Sequence, residues 1–223
     1  MGPPASPRIK ICCMQSAAEV ALAVRHGADA LGFVSAMPSG LGPIGEELIA
    51  ELVPAVPAGV ASFLLTSRRS AVAIADQVRR LGPTTVQIVD RPEPGCRAAL
   101  RRLLPATRIV QVVHVTGPEA LAEAVAAAPD SDAILLDSGN PALEVKELGG
   151  TGRTHDWATS RRIRETVEVP LWLAGGLTAA NVARAIREVG PHGVDVCSGV
   201  RTGGRLDEEK LAAFVEAVKN IGF

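Results

Sequence analysis

Eight short apolar, β-branched runs recur along this chain at near-regular intervals, and that rhythm limits the fold more than any other feature. They lie at 8–12, 30–34, 60–66, 84–89, 108–115, 133–137, 170–174 and 194–198. Successive starts are 22 to 37 residues apart, which leaves room for one helix in each gap. Strands alternating with helical stretches imply βαβ units and a parallel sheet. Eight such units in 223 residues imply a closed (β/α)8 barrel, the TIM barrel, as a single domain over residues 8–223. A doubly wound open sheet is the alternative, and it needs fewer strands.

Helix punctuation agrees with this reading. Ser16 followed by Glu19 forms a capping box ahead of an alanine-rich stretch ending at Gly27, and Thr116, Pro118 and Glu119 repeat that start signal. Gly82–Pro83 and Gly190–Pro191 read as helix stops. A last helix from Asp207 places Leu211, Phe214, Val215 and Val218 on one face.

Lys and Arg total 23 against 24 Asp and Glu, a balance that argues against a nucleic-acid or membrane-surface partner. No apolar run approaches the ~18 residues of a membrane span, and residues 1–8 lack the pattern of a secretory signal. Gly2 and Ser6 fit the permissive N-myristoylation pattern, but the neighbouring prolines favour a flexible arm over residues 1–7. The expected location is therefore cytoplasmic, with Cys12, Cys13, Cys96 and Cys197 reduced. No cluster of His, Cys, Asp or Glu has metal-ligand spacing.

In such barrels the chemistry sits on the loops that follow the strands. Three features stand out there. Glycine-rich turns follow strands seven (Gly175, Gly176) and eight (Ser198, Gly199). Glycines admit close backbone approach, and amides near a helix start suit an anion, so a phosphate fits here; tight turns needing positive φ are the plainer explanation. Cys12 ends strand one. Strand parity puts Lys10 and Cys12 toward the barrel interior, with Ile9, Ile11 and Cys13 toward the helices. A thiol there can act as a base if its pKa is lowered, or it can be a buried cysteine of no chemical consequence. Asp137 closes an apolar strand, where a carboxylate is costly unless bonded or used, although a loop-ordering role also fits. The Gly149, Gly150 and Gly152 segment after it reads as a loop covering a substrate. Asp195 shares the inward face of strand eight with Cys197, so it can pair with Lys10 on the neighbouring strand one.

Taken together, the strings KIC (10–12), GADALGFV (27–34), LLDS (135–138), GGTGRTHDW (149–157), LAGGL (173–177) and GVDVCSGV (193–200) resemble phosphoribosylanthranilate isomerases over nearly the whole chain. The resemblance implies a cofactor-free Amadori rearrangement of N-(5-phosphoribosyl)anthranilate, with a small phosphorylated sugar as substrate and the oligomeric state left open. It places a cysteine general base on Cys12 and an aspartate general acid on Asp137. The phosphate falls on the amides around Gly175, Gly176, Ser198 and Gly199, and Asp195, Gly150 and Arg91 are expected to contact substrate.

Four features depart from the family pattern. Cys13 stands where glycine usually follows the catalytic cysteine. The loop 37–43 lacks the usual arginine for the anthranilate carboxylate. Gln87, Ile88, Val89 and Asp90 replace Gln-Leu-His-Gly, and Gln111 replaces a common lysine. Arg68, Arg69 or Arg91, each just past a strand end, is the candidate substitute clamp. Two other readings follow: a paralogue using the same pair on another phosphorylated aminosugar, and a non-catalytic phosphosugar-binding barrel.

Overall fold

The computed structural model describes residues 6–38, 40–149 and 152–221. Eight parallel strands close on themselves: β1 (Arg8–Ile11), β2 (Ala30–Val34), β3 (Ala61–Thr66), β4 (Thr85–Ile88), β5 (Arg108–His114), β6 (Ala133–Asp137), β7 (Leu171–Leu173) and β8 (Gly193–Val196). β1 pairs with β2 on one side and β8 on the other, so the open-sheet alternative is excluded. Among the described residues eight α-helices follow the strands: α1 (Ala17–Arg25), α2 (Glu46–Leu52), α3 (Ala71–Leu81), α4 (Cys96–Leu103), α5 (Glu119–Ala127), α6 (Trp157–Thr166), α7 (Val182–Val189) and α8 (Glu208–Lys219). No described helix is long and apolar enough to cross a membrane.

Burial on both faces of a parallel sheet requires two apolar layers. Alternation along each strand supplies them. Ile9 and Ile11, Val194 and Val196, and Ile134 and Leu136 pack outward against the helices. Ala30, Phe63, Val110, Ala133 and Trp172 fill the barrel. Phe63 and Trp172 meet edge to face with centroids 5.7 Å apart near its base. Gly193 makes room for that indole, since a Cβ there would lie 2.5 Å from the ring.

The capping signals act as read, with two refinements. Ser16 accepts from the Glu19 amide, while the Glu19 carboxylate reaches back to the Gln15 amide rather than to Ser16. The start signal at Thr116 gives a helix only from Glu119, because Pro118 is its cap. Gly82 and Gly190 end α3 and α7 in the left-handed conformation. Asp207 caps α8 and all four expected apolar residues of that helix are buried.

Six of the eight strands are shorter than the apolar runs suggested. The residues trimmed from the C-terminal ends of β1 and β8 leave the ladder to build the rim, and Ser198 lies in a 3-10 turn (Ser198–Val200) rather than in β8. A small hairpin, β9 (Arg201–Thr202) with β10 (Arg205–Leu206), turns at Gly203 and Gly204, both at positive φ. Of the arm expected over residues 1–7, residues 6 and 7 are described and Pro7 is already buried. Residues 1–5, with the Gly2 pattern, lie outside the described residues.

One expectation about β1 is wrong. Parity placed Cys13 among the helices, but β1 ends at Ile11 and Cys13 adopts φ +67. That turn breaks the alternation and brings its side chain into the inner layer beside Cys12.

Candidate active site

The C-terminal ends of the strands surround a cleft enclosing about 690 Å³ of empty space, solvent at its mouth included. Cys12, Cys13, Asp137, Asp195, Gly175, Gly176 and Ser198 line it. Residues read separately from strands one, six, seven and eight thus share one cavity.

Asp137 is the inward residue at the end of β6. Burial pushes its carboxyl pKa up; the Ser138 amide, which donates to Oδ1 at 2.7 Å, and His114 oppose this without cancelling it. The loop after β6 passes directly over it. A Cβ on Gly149, itself at φ +138, would stand 2.7 Å from Asp137 Oδ2. Gly150 lies outside the described residues.

Lys10 and Asp195, in register across β1 and β8, form the expected pair, with Nζ donating to Oδ2 at 2.8 Å. Lys10 is wholly buried and also faces the Phe63 ring at 5.3 Å. Burial pulls its pKa down, but Asp195, then the Cys12 thiol, outweigh burial and the net shift is upward. Asp195 Oδ1 is buried, has no hydrogen-bond partner among the described residues and belongs to a residue lining the cleft. Such an orphaned acceptor is costly unless a ligand satisfies it.

Cys12 has its pKa lowered. Its contact with the Cys13 thiol contributes most, burial opposes it, and the Lys10 ammonium lowers it further. A lowered thiol and a raised carboxyl in one cavity suit a base and an acid.

The glycine turns after β7 and β8 interlock. A Cβ on Gly199 would fall 2.0 Å from the Leu177 carbonyl oxygen, so Gly199 lies against the other turn rather than in the lining of the cleft. Gly176, at φ +61, has the Arg153–Thr154 backbone within 2.6 Å of where its Cβ would be. Asn181 ties the first turn: its Nδ2 donates to the Gly176 carbonyl at 2.9 Å and its Oδ1 accepts from the Thr178 amide at 2.8 Å. His155 sits beneath Gly175, its Nε2 2.7 Å from Ser160 Oγ; burial brings its pKa down to about 4 despite Asp156, so it is neutral.

The three arginines proposed as a carboxylate clamp do not line this cleft. Arg68 pairs with Glu46 at 3.1 Å, Arg69 donates to the Arg91 carbonyl, and Arg91 forms an ion pair with Glu123 at the exposed outer edge. Gln111 projects outward too, bonded to Arg97 and to the carbonyls of Ile88, Asp90 and Val112. The opposite wall of the cleft is apolar instead, with Val34, Met37, Leu41, Leu65, Val89 and Leu148.

Two residues were not read as site residues from the sequence. Gln87 lines the cleft with its buried Oε1 unpartnered among the described residues, and its inward parity with Thr85 was the available signal. Arg201, just past β8, forms a bidentate pair with Glu19 at 3.0 Å and donates to the carbonyls of Cys12 and Cys13. Nothing in its local sequence marks that role.

Residues 9–217 match the family model described as N-(5'-phosphoribosyl)anthranilate (PRA) isomerase. The chain belongs to the PRA isomerase family. It is accordingly an isomerase. Curated PRA isomerases from Haloferax volcanii and Methanosarcina acetivorans are 38% and 34% identical; each match covers 95% of this chain and 93% of the relative. The PRA isomerase structure from Thermococcus kodakaraensis is 30% identical with a TM-score of 0.78, over 96% of this chain and 99% of that one. Another PRA isomerase structure, in complex with reduced 1-(o-carboxyphenylamino)-1-deoxyribulose 5-phosphate, is 26% identical with the same TM-score, over 96% and 98%.

Proposed function

We propose that this PRA isomerase family member converts N-(5'-phosphoribosyl)anthranilate to the carboxyphenylamino-deoxyribulose phosphate, the aldose-to-ketose step of tryptophan biosynthesis, with Asp137 as general acid and Cys12 as general base. The observation that carries the assignment is a thiol of lowered pKa and a carboxyl of raised pKa lining one cleft. Protonated Asp137 delivers its proton to the furanose ring oxygen. The bond from C1' to that oxygen breaks as the nitrogen lone pair forms a C1'=N iminium. The Cys12 thiolate then removes the C2' proton, and the electrons left behind make the C1'=C2' bond and restore the nitrogen lone pair. Return of the Cys12 proton to C1' and loss of the enol proton to Asp137 give the ketone. Both groups regain their starting states.

The remaining residues bind. The Gly175 and Gly176 turn and Ser198 offer backbone amides to the phosphate, and Gly199 lets their loops close on each other. Asp195 Oδ1 accepts from a sugar hydroxyl while Lys10 holds its other oxygen. The apolar wall takes the aromatic ring.

The test is turnover of freshly prepared PRA by purified protein, followed through loss of anthranilate fluorescence, with Cys12→Ala and Asp137→Asn in parallel. Each substitution is expected to lower kcat by about a thousandfold, within the usual range for a positioned acid or base. The kcat/KM profile of the unsubstituted protein is expected to be bell-shaped. Activity rises with pH as Cys12 loses its proton and falls as Asp137 loses its own, and the two limbs belong to the coupled pair. Near-normal kcat in either variant removes that residue from the mechanism.

A second reading rests on the apolar wall. No Lys or Arg is among the described residues lining the cleft, and Ser39, Gly150 and Thr151 are not basic. That composition favours an aglycone without a carboxylate, hence another phosphorylated aminosugar. No turnover of PRA by folded protein, together with turnover of the phosphoribosyl derivative of an uncharged arylamine, decides for it.

A further inference from the structure

Cys13 lines the cleft beside Cys12, and the chemistry above gives its thiol no task. Its backbone is strained: among the described residues it is the only non-glycine at positive φ. Such a conformation is costly and persists only where the surroundings impose it. Arg201 imposes it here by donating to the carbonyls of both Cys12 and Cys13. The result is that two consecutive side chains enter one cavity.

Each thiol has a glycine for a wall. A Cβ on Gly32 would lie 2.7 Å from Cys12 Sγ, and one on Gly42 would lie 2.5 Å from Cys13 Cβ and 2.9 Å from its Sγ. The Cys13 Sγ stands 3.5 Å from the Leu41 carbonyl oxygen, which can accept its proton. The side chain is therefore confined between the loop after β2 on one side and Cys12 on the other.

We propose that Cys13 is a positioning residue whose S–H donates a hydrogen bond to the Cys12 thiolate, holding that sulfur ionised for proton abstraction. The proposal rests on Cys12 being the base. A thiol has one proton, and three acceptors face this one: the Leu41 carbonyl, the Cys12 sulfur and the Cys197 sulfur. While Cys12 is neutral, the Leu41 carbonyl takes it. Once Cys12 ionises, the charged sulfur wins, because a hydrogen bond to an ionised acceptor is roughly twice as strong as one to a neutral group. The order of ionisation agrees: the contact with Cys12, then Cys197 and burial, hold the Cys13 proton well above the ordinary thiol range, so Cys12 loses its proton first. No atom is transferred to Cys13 at any step.

The experiment compares Cys13→Gly and Cys13→Ser with the unsubstituted chain. Glycine accepts φ +67 without strain, so that variant keeps the turn; serine keeps a donor. Two readouts are taken across pH: the rate of Cys12 alkylation by iodoacetamide, resolved by peptide mass spectrometry, and kcat/KM for PRA. In Cys13→Gly the Cys12 midpoint is expected to rise by about one unit, an approximately tenfold loss of both rates on the acidic limb with convergence at alkaline pH. Cys13→Ser is expected to hold the midpoint near that of the unsubstituted chain. An unmoved midpoint in Cys13→Gly, or a serine variant that behaves like glycine, overturns the proposal. So does a change confined to KM, which marks Cys13 as only an anchor for the loop after β2. Full turnover by Cys12→Ala removes the base assignment by itself, and the alkylation midpoint then decides the thiol–thiolate bond independently.

Discussion

The two sides of the cleft are built from different materials. After β7 and β8 the rim is backbone: glycines lie so close to neighbouring carbonyls and amides that a single methyl group would collide. After β2, β3 and β4 it is side chain, with Val34, Met37, Leu41, Leu65 and Val89 facing the cavity and no cation among the described lining residues. A phosphate is the same in every sugar phosphate, so it can be met by main-chain geometry that tolerates no variation. An aglycone differs between substrates, and an apolar wall of replaceable side chains can adapt to it. The comparison predicts that substitutions on the first side act through geometry and those on the second through contact area.

The largest effect is expected beneath both sides, at the Lys10–Asp195 pair. Asp195→Asn leaves a buried ammonium without its partner, and breaking such a pair typically costs about 3–5 kcal/mol. The pH dependence has a definite sign. With Asp195 present the Lys10 pKa is raised, so this pair gives full stability below the ordinary lysine value and loses it only at higher pH. Without Asp195, burial is the largest remaining influence and is opposed only by the Cys12 and Cys13 sulfurs, so that pKa is expected to fall and folding must then expel a proton. The stability of the variant therefore rises by about 1.4 kcal/mol per pH unit toward the ordinary lysine value, because its unfolded state binds more protons. Urea melts between pH 6 and pH 9 measure this. A flat profile means that Lys10 keeps its proton by another route.

Next in size is Gly199→Ala. The new methyl would stand 2.0 Å from the Leu177 oxygen, a contact between two backbones that no rotamer can relieve. The turns after β7 and β8 must separate, and kcat/KM is expected to fall about a hundredfold, equivalent to ~2.7 kcal/mol, mostly through KM. Gly203→Ala is the control: its φ is also positive, but nothing lies within 4 Å of the added carbon. It is expected to cost only the conformational penalty, about 1 kcal/mol of stability, with KM unchanged. Equal effects from the two alanines would break the claim that close backbone approach builds the phosphate side.

These differences follow what a sequence can express. The barrel was legible because alternating β-branched residues set both which segments are strands and which side faces inward; Lys10 and Asp195 followed from parity, and Asp137 from its place at a strand end. Parity failed at Cys13, since it assumes that the strand continues and a left-handed turn at a non-glycine residue leaves no local mark. Arg201 was invisible for another reason, because its partners Glu19, Cys12 and Cys13 lie nearly the whole chain away. Arg68 and Arg91 were plausible clamps by position, but Glu46 and Glu123 hold them at the outer surface, and no pattern in one chain reports which acid an arginine will meet. The hairpin at 201–206 was signalled by Gly203 and Gly204 and passed unread.

The smallest effect belongs to the apolar side, and Leu41 isolates it. This leucine lines the cleft yet is 47% exposed, so its truncation removes little that holds the fold together. An aromatic aglycone that covers it removes roughly half a leucine side chain from water, worth about 1 kcal/mol at the usual coefficient for apolar area. Leu41→Ala is therefore expected to raise KM about fivefold while kcat and the melting temperature stay close to those of the unsubstituted chain. The Leu41 carbonyl that faces Cys13 is main chain and survives the substitution, so the thiol arrangement is not disturbed. A large fall in kcat at constant KM would mean that this loop aligns the reacting carbons rather than covering the ring, and the contrast between the two sides would have to be redrawn with geometry governing both.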